Sequence, residues 1–347
     1  MERKTILLLF GGSSSEYGVS LQSAHGVLSL MDRSRYQPLT VGITRGGQWL
    51  YFSGDPERIP DDRWQGEGCV PCTLSLDRGV HQVLLLDGSG RRLEFDGAFP
   101  VLHGKNGEDG TVQGLLELTG VPLIGCGTLS SALCMDKDRA HRLAADAGVR
   151  VPRSAVFRRG TDRQDWERAA AEIGYPVFVK PVRAGSSFGI SKVEGPEGLA
   201  GAVEEAFRHD GEVLLEETIP GFEVGCAVLG NEELTVGTVD EIELSGGFFD
   251  FEEKYTLKTS AIHCPARIPA PTARRIQETA KTIYRALGCR VFARVDLFLT
   301  PEGEIVFNEV NTIPGFTAHS RYPNMMKAAG IPAGDLVNGL IALGLKG

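Results

Sequence analysis

RVDLFLTPEGEIVFNEVN, residues 294–311, reads as a β-hairpin: two runs of alternating apolar and polar residues joined by the turn-forming TPEG. Side chains alternate between the two faces of a strand. Arg294, Asp296 and Phe298 are therefore expected on one face of the first strand, and Phe307, Glu309 and Asn311 on one face of the second. An ordinary hairpin register sets Asp296 opposite or diagonal to the segment holding Glu309. Two carboxylates and an amide oxygen then share one surface. Hard oxygen donors of this kind suit Mg²⁺, which is usually held by one or two carboxylates together with substrate phosphates. A solvated polar face on an edge hairpin is the alternative. The interleaved Phe and Val residues favour a buried hairpin, and a buried carboxylate needs a cation or a partner.

If a cation sits there with a phosphate, the phosphate needs a cradle, and KPVRAGSSFGIS (180–191) offers one. It follows the strand YPVFVK and presents Gly185, Ser186, Ser187 and Gly189, whose backbone N–H groups and hydroxyls can form a nest for phosphate oxygens. Its spacing is neither that of a P-loop nor that of a dinucleotide fold. Lys180 ends the strand with Val177 and Val179 on the other face, which aims it into a cleft, and Lys137 opens a helix over 136–148 capped by Asp136. In EETI (216–219) the strand-edge backbone at Glu216 and Glu217 is placed to meet an adenine, and Glu223 to accept from a ribose hydroxyl.

The rest of the chain fits this picture. TILLLF (5–10), a Gly-rich turn and a helix over Glu16–Met31 open the sequence; PLTVGIT, GAFPVL and VPLIGC read as further strands, with TVQGLLELTG as a helix. Strands alternating with helices imply an α/β domain with a parallel sheet. The opening strand, turn and helix lack the G-x-G-x-x-G and following acid of a nucleotide-dependent dehydrogenase. SAVFRR, YPVFVKP and GISKV are strands of a second, α+β unit, with a helix over 196–210. A third begins near Glu212 and contains EVLLEE, several hairpin strands and a long amphipathic helix over 270–288, with Ile276, Ala280, Ile283 and Leu287 on one side. The expected division is 1–122, 123–211 and 212–347.

The 347 residues allow two or three domains, and 42% hydrophobic with 23% charged residues is ordinary for a soluble enzyme. A net charge of -9 disfavours nonspecific binding to nucleic acid or membranes. The first apolar run stops at Gly11-Gly12, short of the roughly 7–15 residues of a signal-peptide core. No run approaches the ~20 residues of a membrane span, so a cytosolic protein is expected. Seven scattered cysteines argue against a disulfide framework; CVPC (69–72) is read as two reduced thiols in a loop rather than half a zinc site or a redox pair.

Taken in order, FGGSSSEYGVS, HGKNGEDG, MDKDRAH, FVKPVRAGSSFGISKV, EETIPGFEVGCAVL, FDFEEKY, RVDLFL and FNEVNTIPGFTAHSRYPNM resemble the D-alanine–D-alanine ligase family, over essentially the whole chain. The resemblance implies an ATP-grasp fold behind an N-terminal parallel-sheet domain, with ATP between two α+β units. Lys137, Lys180 and Ser187 would meet the phosphates, and Asp296, Glu309 and Asn311 two Mg²⁺ ions, with Mn²⁺ as a substitute. It assigns Glu16 to the ammonium of the first D-alanine, His103 to its vicinity, and Ser186 and Tyr255 to hydrogen bonds with Glu16. Arg294 and the Gly315 N–H would hold the oxyanion; Lys254 and Ser320 would take the carboxylate of the second amino acid. The segment 241–258 resembles the family's mobile ω-loop, and a homodimer is implied.

One position departs from the common pattern. Arg321 follows Ser320 where the usual enzymes carry leucine, and a guanidinium there requires a partner, for which Asp240 is a candidate; Phe249 would wall the same pocket. The same change marks the vancomycin-resistance D-alanine–D-serine ligases, and the chain looks closest to their VanG branch. D-serine is therefore the expected second substrate, for altered peptidoglycan precursors, with D-alanine as the alternative. The D-alanine–D-lactate enzymes replace the region where this chain keeps Glu253, Lys254 and Tyr255.

Overall fold

A computed structural model describes residues 3–66, 68–185, 188–244 and 260–346. The first sheet has seven strands: β1 (Lys4–Gly11), β2 (Tyr36–Ile43), β3 (Trp49–Phe52), β4 (Cys69–Leu74), β5 (Gln82–Leu85), β6 (Arg92–Glu94) and β7 (Gly97–Leu102), in the order β6-β5-β4-β3-β2-β1-β7. Only β1 runs parallel to its neighbours β2 and β7; β3 to β6 continue the sheet as antiparallel strands. Ile6 to Phe10 are fully buried, as a central strand covered on both faces requires. VPLIGC forms no strand and contributes one bridge, Ala98 to Leu123. CVPC lies on β4 rather than in a loop. Its two thiols are three residues apart and so face opposite sides of the sheet: Cys69 donates to Trp64 O (3.1 Å) while Cys72 is buried among Leu74, Val83 and Leu85.

Helix α1 (Tyr17–Leu30) covers one face of this sheet, and α2 (Thr111–Thr119), α3 (Thr128–Met135) and α4 (Lys137–Asp146) lead out of it. Asp136 caps α4 by accepting from Arg139 N (3.0 Å).

The second sheet contains β8 (Ser154–Arg158), β9 (Val177–Pro181), β10 (Ser191–Val193) and β11 (Glu212–Glu217), all antiparallel, in the order β10-β9-β11-β8. Strand β11, read from the sequence with the third unit, thus hydrogen-bonds in the second. Helices α5 (Arg163–Ile173) and α6 (Pro196–His209) pack on the face that carries Val177, Val179, Val213 and Leu215. Lys180 and Glu216 occupy the other face.

The third sheet contains β12 (Phe222–Gly230), β13 (Leu234–Val236), β14 (Asp240–Leu244), β15 (Ser260–His263), β16 (Phe292–Leu299) and β17 (Ile305–Asn311), in the order β15-β14-β12-β16-β17 with β13 on β12. The expected long helix is α7 (Ala270–Ala286); Ile276, Ala280, Ile283 and the following Leu287 are fully buried against Val295, Leu297 and Phe307. One expectation fails here. Asp296 pairs with Glu309, but the next pair is Leu297 with Phe307, so Asn308 is an extra residue in the ladder. This bulge turns Phe307 into the α7 core, away from Glu309 and Asn311.

The last helices, α8 (Arg321–Ala328) and α9 (Ala333–Gly344), return to the first sheet. Tyr322, Met325, Leu336 and Leu340 share a core with Leu21, Val27 and Phe99. Among the described residues, no helix is long and apolar enough to cross a membrane.

Gly26 stands within α1 where a Cβ would lie 2.3 Å from Phe316 O, on the segment that carries Gly315. In an exposed helix, Gly→Ala gains roughly 1 kcal/mol. Here Gly26→Ala should lower the thermal melting temperature instead; an unchanged or raised value would show that the 313–316 segment yields freely.

Candidate active site

A cavity of about 700 Å³ opens on the side of the third sheet facing away from α7. Among its lining residues are Glu16, Arg45, His103, Glu108, Lys137, Gly185, Glu223, Arg294, Asp296, Glu309, Asn311, Gly315, Ser320 and Arg321. A wider groove between residues 147–150, α7 and Glu304 gathers none of the expected site residues.

Across the third sheet, one row reads Asp240, Gly225, Asp296, Glu309. Gly225 leaves a gap in that row, and the Arg321 guanidinium fills it: a Cβ at 225 would stand 2.3 Å from Arg321 Nη2. Arg321 donates to Asp240 through Nε and Nη2 (both 2.8 Å), to Glu223 through Nη1 (2.9 Å), and lies 3.2 Å from Asp296 Oδ1. Burial alone would lower its pKa, but Asp240, Asp296 and Glu223 hold it well above the ordinary value. The expected partner Asp240 is therefore in place. Glu223, expected at the ribose, has one oxygen committed to Arg321.

Arg294 grips Asp296 as a fork, Nε to Oδ1 at 2.8 Å and Nη2 to Oδ2 at 2.7 Å. With its amide oriented by its neighbours, Asn311 accepts from Arg294 Nη2 (2.7 Å) and donates to Glu108 Oε1 (3.3 Å). Among the described residues, no cluster of three His, Cys, Asp or Glu side chains is arranged to hold a metal by itself. The pair Asp296–Glu309 with the Asn311 amide is nevertheless a hard-oxygen set that fits Mg²⁺ completed by phosphate oxygens.

The nucleotide-side residues sit on both sheets. Lys137 Nζ donates to Ala184 O (2.9 Å) and lies 3.8 Å from Glu309 Oε2, so it ties the 182–185 segment to the third sheet. Lys180 Nζ bonds Glu216 Oε1 at 2.5 Å. Glu217 points to the opposite face, where its side chain accepts from Arg153 N and Nε (2.9 Å each).

Glu16 precedes the first turn of α1, where the helix N-terminus favours a carboxylate. Its Oε2 is wedged between two glycines: a Cβ would come within 2.4 Å of it at Gly104 and 2.7 Å at Gly185. His103 Nε2 hydrogen-bonds with Ser23 Oγ (3.0 Å), which also accepts from Phe316 N (3.2 Å). Gly315 packs on Ser320, whose Oγ accepts from Thr317 N (3.0 Å). Ser186, Ser187, Phe249, Lys254 and Tyr255, and most of the expected ω-loop, lie outside the described residues.

Sequence reasoning missed two cavity residues. Glu108 accepts from Gly104 N (2.7 Å) and Ile313 N (3.3 Å), and burial followed by the nearby Glu16 pushes its pKa up to about 8. It lies in the HGKNGEDG motif, which was its only signal. Arg45 had none: its guanidinium lies 4.1 Å above the ring of Tyr17, whose hydroxyl donates to Asp62 Oδ1 (2.6 Å) and accepts from Trp64 Nε1 (3.0 Å).

Two family models match the chain: "D-ala D-ala ligase N-terminus" over residues 5–126 and "D-ala D-ala ligase C-terminus" over 143–342. The solved structure of the VanG D-Ala:D-Ser ligase from Enterococcus faecalis is 55% identical, with a TM-score of 0.93 over 99% of this chain and 100% of that one. A putative D-alanine–D-lactate ligase of Streptomyces coelicolor is 48% identical over 353 residues, covering 100% of this chain and 99% of the relative. A D-alanine–D-alanine ligase of Caldicellulosiruptor bescii is 42% identical over 352 residues, covering 100% and 96%.

Burial, opposed by a backbone hydrogen bond at Ile313, lowers the His103 pKa from 6.5 to about 4. The unfolded chain then binds a proton at this site that the folded chain does not, between about pH 6.5 and 4. Stability must fall as pH drops through that window, by up to about 3 kcal/mol from this residue. His103→Gln should flatten the acid side of a melting-temperature profile between pH 7 and 5; an unchanged slope would contradict this.

Proposed function

Because the chain belongs to the D-alanine–D-alanine ligase family, ATP-dependent enzymes that form a peptide bond, we propose that it joins D-alanine to D-serine through a D-alanyl phosphate. The observation that carries the D-serine reading is the buried Arg321, held by Asp240 and Glu223 at the cavity wall next to Ser320. A charged wall offers polar atoms to a hydroxyl and little apolar surface to a methyl. The 55% identity to the VanG D-Ala:D-Ser ligase supports the same reading. D-alanine as second substrate is the alternative, and the C. bescii relative keeps it open. The S. coelicolor relative raises D-lactate as well, which the Glu253-Lys254-Tyr255 run argues against.

In this reading, Glu16 holds the ammonium of the first D-alanine. That substrate's carboxylate oxygen attacks the γ-phosphorus of ATP, and ADP departs. Lys137, Lys180 and Ser187 orient the phosphates, the Glu216–Glu217 strand meets the adenine, and the second oxygen of Glu223 meets the ribose. Asp296, Glu309 and Asn311 would hold Mg²⁺, which neutralises phosphate charge when bound. The amine of the second amino acid, having lost its proton, attacks the acyl carbon. A C–N bond forms, the C–O bond to phosphate breaks, and inorganic phosphate leaves. Arg294 and the Gly315 N–H stabilise the tetrahedral oxyanion. His103 and Glu108 keep the first substrate's surroundings dry and fixed. Ser186 and Tyr255 hydrogen-bond to Glu16, Lys254 and Ser320 take the second carboxylate, and Phe249 closes the pocket. A cytosolic homodimer making altered peptidoglycan precursors completes the proposal.

With ATP, Mg²⁺, D-alanine and D-serine, mass spectrometry should find mainly D-Ala–D-Ser with one phosphate released per dipeptide. Mainly D-Ala–D-Ala would reverse the assignment of the second substrate.

Arg321→Leu alone leaves Asp240 buried and unpaired, at a cost of about 3–5 kcal/mol. The double variant Asp240→Asn/Arg321→Leu lessens that cost. It should shift the D-serine to D-alanine preference by about tenfold or more toward D-alanine. An unchanged ratio in the folded double variant would remove Arg321 from substrate choice.

A further inference from the structure

The bulge at Asn308 decides where Glu309 points, and one side chain is fastened to that bulge. His141 is buried on the inner face of α4, one turn beyond Lys137. Its Nε2 lies 2.8 Å from Asn308 O. A carbonyl only accepts, so Nε2 carries the proton and donates. The same imidazole meets the Phe307 ring edge to face, centroids 5.4 Å apart. His141 therefore holds both residues that precede Glu309, by a hydrogen bond to one and packing on the other. Its remaining nitrogen, Nδ1, faces the second sheet at 3.9 Å from Glu216 Oε2, and the other oxygen of Glu216 binds Lys180. Burial lowers the ring's pKa from its ordinary value.

An extra residue in a ladder lacks a fixed cross-strand partner, so its conformation needs support from outside the sheet. Asn308 gets that support from α4. If the support is lost, the ladder can shift its extra residue along β17 and turn Glu309 away from Asp296. We propose that His141 is a positioning residue for Glu309, fixing the bulge through the Asn308 carbonyl and so setting the site's affinity for a divalent cation. This rests on the reading of Glu309 as a metal ligand.

The test measures Mn²⁺ binding by electron paramagnetic resonance titration of the full-length protein with ADP, alongside melting temperatures. His141→Phe keeps the ring packing and removes the donor; it should weaken Mn²⁺ binding about 10–100-fold. His141→Gln, which can still reach the carbonyl, should recover most of that loss. His141→Leu should behave as His141→Phe, and it serves in place of His141→Phe if that variant does not fold. Mn²⁺ affinity within twofold of wild type in a folded Phe or Leu variant would overturn the proposal, even if the melting temperature falls. Glu309→Gln is the control. If it leaves Mn²⁺ affinity unchanged, the reading of Glu309 as a ligand fails, and the role of His141 falls with it.

Discussion

The row Asp240, Gly225, Asp296, Glu309 across the third sheet is the constraint on which the catalytic end depends. Three carboxylates in a row would repel one another in a dry interior. They are tolerable because Arg321 lies over the missing side chain at Gly225, between Asp240 and Asp296, while Arg294 forks onto Asp296 from its own strand. Removing either partner of such a buried pair strands the other charge, so the row resists piecemeal change. On the proposed reading the same array joins specificity to chemistry: Arg321 touches Asp296, the proposed cation ligand, and Asp296 in turn fixes Arg294.

Alternation in the hairpin was enough to bring Asp296 and Glu309 together, because a period of two and a four-residue turn leave few registers. It was not enough to locate the bulge. The sequence of β17 looks regular, and the extra residue is stabilised by His141 from a helix more than 160 residues away. The same limit applies to β11, a strand whose sheet could not be read locally: its partners β8 and β9 are selected by burial of Val213 and Leu215 against α6. Leu336 and Leu340 stand four residues apart on one helix face, but the core they share with Tyr322 lies with Phe99 and Val27 of the first unit. Arg321 was legible for a different reason. A charge beside an apolar site announces a need for compensation, and the candidate partner Asp240 accepts from the Arg321 guanidinium in the structure.

Close approach to one carboxylate explains glycines in two separate motifs. Gly104 follows His103, Gly185 opens the Gly-Ser-Ser segment, and both touch the Glu16 carboxylate, which a side chain at either position would displace. Glu16 is thus held by the first unit and met by the loop of the second. Burying a carboxylate costs free energy unless it is paired, and in the proposed reaction Glu16 meets the ammonium of the first D-alanine. Glu108 adds a second acidic group close by, and burial together with Glu16 holds its pKa above the ordinary carboxylate range.

Relatives named for D-serine, D-lactate and D-alanine all align with nearly the full length of this chain. The scaffold therefore does not choose the second substrate. On the proposed reading, what can choose it is the cavity wall where Ser320 holds the N-cap position of α8 and Arg321 begins the helix. Placing the guanidinium in the first turn of a helix sets it where the helix dipole opposes its charge. It stays there because Asp240 and Glu223 outweigh that opposition. An apolar side chain at 321 would lack any reason for an acid at 240, and an acid at 240 without Arg321 would be buried and unpaired. The two positions form one electrostatic unit, and on the proposed reading a change of substrate through this wall involves both.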